Sequence, residues 1–151
     1  MTAIARAVLA ATLILSAAFP ASAETFEVKM RNRGDKGSMV FEPDYLELKS
    51  GDRVKFIATN KSHNAASIDG MVPDGYPGFK GKINEEIEVT FDQDGFYGIK
   101  CSPHFGMGMV MLIRVGDAAL SDDIRAFDVP ARARARFDAM FAGVDAKADG
   151  K

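Results

Sequence analysis

Nine consecutive residues, Cys101-Ser102-Pro103-His104-Phe105-Gly106-Met107-Gly108-Met109, hold the only cysteine of the chain, one of its two histidines and two of its eight methionines. A thiolate, an imidazole and a thioether this close together form a soft ligand set, and that softness favours copper. The second histidine, His63, lies upstream in Asn60-Lys61-Ser62-His63-Asn64 and can add a second nitrogen. Cysteine, two histidines and a weak axial methionine are the donors of a trigonal copper site used for electron transfer. Alone, each residue is a weak signal: a lone cysteine is commonly inert packing, and Met107, Met109 and Met111 can be filler. Their joint spacing is what points to a metal. Gly106 and Gly108 are expected to let the segment turn tightly.

Two rival metal chemistries fit less well. A closed zinc site draws its four ligands mainly from Cys and His. With one Cys and two His, this chain would have to complete such a site with a thioether or a carboxylate. A catalytic copper enzyme needs further histidines for an open, substrate-binding metal, and none remain once His63 and His104 are used. The inventory therefore argues against an enzyme.

The elements that must position these donors are mostly strands. Phe26, Val28 and Met30, then Val54, Phe56 and Ala58, then Ile87, Val89 and Phe91 alternate with polar residues, which predicts half-buried antiparallel strands. Met39 to Phe41, Tyr45 to Lys49, Gly95 to Cys101 and Val110 to Val115 are further strands, with turn residues at 33–35, 42–44, 50–52 and 92–95. About seven short strands predict a β-sandwich or barrel. The Gly/Pro-rich stretch 69–82 is expected to cross between its sheets.

After residue 116 the period changes. Leu120, Ile124 and Phe127, then Ala133, Phe137, Met140, Phe141 and Val144, recur at helical spacing, with Pro130 suited to a first turn. Arg132, Arg134 and Arg136 are expected on a solvated face. Residues 145–151 are expected to form a flexible tail.

The N-terminus reads as a secretory leader: Arg6, an apolar run from Ala7 to Phe19, and a small-residue cleavage site at Ala21-Ser22-Ala23. The run is shorter than the roughly 20 residues that span a bilayer. Cleavage after Ala23 would leave one exported domain, residues 24–151: a β-sandwich over 24–116, helices over 117–144 and the tail. Nineteen Lys and Arg against 21 Asp and Glu leave a net charge of −2, which does not suit a nucleic-acid clamp.

The chain resembles the cupredoxin family of type 1 blue copper proteins, and within it the bacterial pseudoazurins, from about Thr25 through the C-terminal helices. The resemblance is carried by Ser62-His63-Asn64, by Met71-Val72-Pro73 with residues 80–84, and by Cys101 through Met111 followed by Val115-Gly116-Asp117. It implies a Greek-key β-sandwich with two C-terminal helices and one copper ion held by His63, Cys101, His104 and Met109. Asn64 would tie the two ligand loops together and hydrogen-bond toward the thiolate, and Asn32 would brace a loop. Met39 would pack against the exposed ligand histidine, although core packing explains it nearly as well.

The resemblance further implies that electrons pass through His104 across an apolar patch bordered by Pro103, Phe105 and Met107. Arg33, Lys61, Lys80, Lys82 and Lys100 would steer an acidic partner into a transient complex. Such partners are nitrite reductase, other periplasmic reductases or cytochrome c. No nucleic acid and no membrane are implied, and the protein is expected to be a monomer. A copper-delivery or storage protein is the other functional class in view.

Overall fold

The computed structural model describes residues 22–150, so the expected leader lies almost wholly outside the described residues. Strands β1 (Thr25–Gly34), β2 (Gly37–Glu42), β3 (Tyr45–Leu48), β4 (Asp52–Ile57), β5 (Ala66–Ser67), β6 (Ile87–Phe91), β7 (Gly95–Lys100) and β8 (Val110–Val115) precede helices α1 (Asp122–Ala126) and α2 (Ala131–Asp149). They form two four-stranded sheets, ordered β2-β1-β4-β6 and β3-β8-β7-β5. The stretch after β5 does cross between sheets, leaving the second and entering the first at β6.

Two pairings differ from the antiparallel expectation. β1 runs parallel to β4, with Phe26 opposite Val54, and β3 runs parallel to β8, with Tyr45 opposite Leu112. The chain leaves the first sheet after β2, runs through β3 in the second and returns as β4, so β4 meets β1 by crossover rather than by hairpin. Alternation of apolar residues reports the buried face of a strand and is silent on its direction.

Between the sheets, Val28, Met30, Phe41, Val54, Phe56 and Phe91 meet Leu48, Tyr97, Ile99, Met111, Ile113 and Val115 in one core. The second sheet is covered on its other face too, where Phe96, Val110 and Leu112 pack on Ala133, Phe137, Met140, Phe141 and Val144 of α2. Double coverage explains why β7 and β8 read as nearly continuous apolar runs. Each large α2 side chain buried there contributes roughly 1.5–3 kcal/mol relative to exposure.

At the C-terminus, α1 is a short helix whose N-terminus Ser121 caps by accepting the Ile124 N–H. Helix α2 continues to Asp149, through residues expected to fray. Asp145 pairs with Arg125 at 2.5 Å and Lys147 with Glu47 at 3.2 Å, which ties that last stretch to the rest of the fold. The arginine run is likewise not a uniformly solvated face. Arg132 is exposed, Arg134 donates to the Arg125 carbonyl at 2.6 Å, and Arg136 reaches into the sandwich end of the molecule.

Candidate metal centre

The β pleat delivers the two sulfurs. Along β7, Tyr97 and Ile99 face the inter-sheet core, and Cys101 continues that register one step past the strand. Along β8, Met111, Ile113 and Val115 face the same core, and Met109 continues it in the other direction. Both residues are fully buried, and the Cys101 N–H donates to the Met109 carbonyl at 3.0 Å, so the ladder between the strands extends to them. Between them, Ser102–Met107 forms a short 3₁₀ segment with Pro103 in its first turn, and it carries His104.

Gly108 closes that segment with φ +86, a left-handed conformation that favours glycine. A Cβ there would lie 2.9 Å from the Arg132 carbonyl oxygen of α2, so the helix also requires glycine at this point. Gly106 differs from expectation: its φ is not positive, and nothing lies within 4 Å of a Cβ built on it.

His63 is fully buried on the neighbouring loop, and its Nδ1 lies 3.1 Å from His104 Nδ1 and 3.7 Å from Cys101 Sγ. His104 Nδ1 lies 3.4 Å from the same sulfur. A triangle with these edges has a circumscribed radius of about 2.0 Å, so one point in its plane stands at bonding distance from all three donors, within the range of about 2.0–2.3 Å seen for nitrogen and sulfur on a comparable divalent metal. The donor set therefore fits a metal ion of the copper type.

Second partners fix these donors. His63 Nε2 lies 2.8 Å from the side-chain oxygen of Asn32. That oxygen can only accept, so Nε2 carries the hydrogen and Nδ1 keeps its lone pair toward the centre. Asn32 does more than the loop-bracing expected of it, although its backbone N–H also donates to Asn60 Oδ1 at 2.9 Å. The Asn64 side chain joins the two donor loops: its amide donates to the Gly81 carbonyl at 2.9 Å and to Ser102 Oγ at 3.1 Å, and its oxygen accepts the Ser102 N–H at 2.7 Å.

Burial pushes the Cys101 thiol up, partly offset by the nearby backbone N–H groups of Asn64 and His104. The Asn64 side chain serves the loops. Burial, with His104 alongside, pushes His63 down, which keeps it a neutral donor.

Around the centre, His104 is partly exposed, Pro103 is exposed and Met107 keeps 40% of its surface in solvent. Arg33 follows Asn32, Lys61 precedes Ser62-His63, and Lys80 and Lys82 flank Gly81; all four are exposed. Lys100 is half-buried, with Nζ 5.1 Å above the ring of the half-buried Phe105. Met39 is half-buried and packs against the core cluster that contains Cys101 and Met109.

Sequence reasoning missed Asn84, whose Oδ1 accepts the Ser62 N–H at 2.6 Å and whose N–H donates to the His63 carbonyl at 2.8 Å. It also missed the neighbouring Ile83, 48% exposed and the largest apolar exposure beside Met107 among the described residues. Positive φ at Ser62 (76°) and Asn84 (65°) was the underlying backbone signal, and a sequence does not display it.

Residues 28–116 match the model of the copper-binding proteins of the plastocyanin/azurin family. The chain belongs to that family. Its relatives within this cupredoxin family include pseudoazurins. The pseudoazurin of Paracoccus pantotrophus is 46% identical over 137 residues, covering 90% of this chain and 94% of its own. A putative pseudoazurin of Rhizobium leguminosarum bv. viciae is 49% identical over 138 residues, covering 91% and 90%. The solved pseudoazurin of Methylobacterium extorquens AM1 matches with a TM-score of 0.75 at 41% identity, over 80% of this chain and 98% of that one. The cupredoxin fold and the copper cofactor expected from sequence are those of this family. Cupredoxins of this kind are electron carriers that work with redox partner proteins, and they are not enzymes.

Proposed function

We propose that His63, Cys101, His104 and Met109 hold one copper ion as a type 1 centre, and that the protein is a diffusible periplasmic carrier supplying electrons to a reductase such as nitrite reductase. The observation that carries the reading is the convergence of the Cys101 sulfur and two imidazole Nδ1 atoms about one point, with Met109 brought to the same core by the facing strand.

When bound, copper supplies one-electron exchange between Cu(II) and Cu(I). The chain's own part is to keep its donors still during that exchange. Asn32 holds the His63 ring, Asn64 joins the two loops, and the Cys101 N–H to Met109 carbonyl bond ties the two sulfur-bearing residues together. Outer partners of this kind orient ligands and tune a metal's potential.

Rigidity and burial also separate a carrier from a copper-delivery protein. Delivery requires donors that an incoming ligand can replace, and His63, Cys101 and Met109 are all buried. His104, partly exposed, gives the electron its short way out. Pro103, Phe105 and Met107 supply apolar contact area there, and Arg33, Lys61, Lys80, Lys82 and Lys100 favour an acidic partner in a fast-dissociating complex. The Arg6-led leader accounts for export.

The test is anaerobic stopped-flow mixing of the reduced, copper-loaded protein with nitrite reductase. The reading expects oxidation of the carrier with copper retained, at rates that fall with added salt. Transfer of copper to a copper-free acceptor without electron transfer would contradict it.

A further inference from the structure

Arg136 stands on α2, in sequence and in element remote from every donor, yet its guanidinium sits on three backbone carbonyls at the metal end of the sandwich. Nη1 donates to the Met39 carbonyl at 2.6 Å and to the Gly108 carbonyl at 2.7 Å, and Nη2 donates to the Ser38 carbonyl at 2.7 Å. The Gly108 carbonyl belongs to the peptide plane that leads into Met109. On the other side of that plane the Met109 N–H donates to the His104 carbonyl at 3.1 Å, and the next carbonyl, of Met109 itself, accepts the Cys101 N–H at 3.0 Å. The plane is therefore held at its oxygen by α2 and at its nitrogen by the His104 segment.

The other two carbonyls lie in β2, where Met39 adopts φ +52, a left-handed conformation that a non-glycine residue keeps only where its neighbours hold it. A guanidinium suits this place because its planar fork of five N–H groups can satisfy separate acceptors at once.

We propose that Arg136 is a positioning residue for the metal centre: it locks the Gly108–Met109 peptide and the Ser38–Met39 stretch of β2 to α2 and so sets where the Met109 thioether stands relative to the other donors. The C-terminal helix then acts as part of the site's frame in addition to covering the second sheet. This inference rests on the ligand reading above.

The test compares the wild type with Arg136→Met, Arg136→Lys and the control Arg134→Met, which removes a guanidinium that donates to the Arg125 carbonyl and lies 3.7 Å from Asp138. In the copper-free protein, amide hydrogen exchange at Met109 and Cys101 should accelerate at least tenfold in Arg136→Met and be unchanged in Arg134→Met. In the copper-loaded protein, Arg136→Met should alter the ratio of the visible absorption bands and the symmetry of the EPR signal, with Arg136→Lys partly restoring both. If Arg136→Met does not fold, Arg136→Lys alone decides, since one ammonium cannot reproduce three separated contacts and both signatures should still move. Unchanged exchange and spectra, whatever the loss in stability, would overturn the proposal. A wild-type protein with no sulfur-to-copper band would instead refute the ligand assignment, leaving the exchange result to judge Arg136 by itself.

Discussion

Asn32 and His63, 31 residues apart, are joined at 2.8 Å between the amide oxygen and Nε2, and this single contact fixes which imidazole nitrogen faces the Cys101 sulfur. Asn32 lies on an exposed stretch of β1, whereas His63 is fully buried, so a residue reachable from solvent governs one that is not. Replacing Asn32 by Leu should leave the fold intact and free the ring to change tautomer or tilt. Copper affinity, measured by competition with a chelator, should fall by about 10–100-fold. Unchanged affinity would mean that the buried walls around His63 orient it without help.

Gly106 and Gly108 make a paired test of backbone constraint inside one short segment. Gly108→Ala places a Cβ in a left-handed conformation and against the Arg132 carbonyl, and it should cost at least about 2 kcal/mol in denaturant unfolding of the copper-free protein. Gly106→Ala meets nothing and should change stability by less than about 0.5 kcal/mol. Equal effects at the two positions would contradict the placement of α2 on this segment.

Stability of the copper-free protein should decline on both sides of neutrality. His63 is held below its ordinary value of 6.5, so below about that pH the unfolded chain takes up a proton that the folded chain refuses, and stability falls as pH falls through that window. Cys101 is held above its ordinary value of 9.0, so above about that pH the unfolded chain releases a proton that the folded chain keeps, and stability falls as pH rises. Unfolding free energies measured from pH 5 to 10 check both signs, and His63→Gln should remove the acidic limb alone.

Much of the site was legible because Cys101, His104 and Met109 sit within nine residues between two strand-like runs. Which residues of those runs face inward was not, since β7 and β8 are apolar on both faces, and only the fold shows Tyr97, Ile99 and Cys101 beside Met109, Met111, Ile113 and Val115 in one core. The helical spacing of Phe137, Met140, Phe141 and Val144 did name the face that meets the second sheet. Strand direction was not legible, because the excursion that makes β1 parallel to β4 leaves the alternation of both strands unchanged. Nor was β5, whose two residues are too few to show a period.

The arginine run illustrates the remaining gap most plainly. Arg132, Arg134 and Arg136 look alike in sequence, and only the packing angle of α2 decides that the first meets solvent, the second a neighbouring carbonyl, and the third the loops around the metal. Ile83 was hidden for the same reason. Its neighbour Asn84 binds the Ser62-His63 backbone across a gap of about twenty positions, and no local pattern announces such a contact.

Whether the Cys101 sulfur binds the copper is decided most directly by the visible spectrum of the cupric protein beside that of Cys101→Ser. The account predicts an intense blue sulfur-to-copper band in the wild type and its complete loss in the variant. A colourless wild-type protein, or a variant that keeps the band, would contradict it.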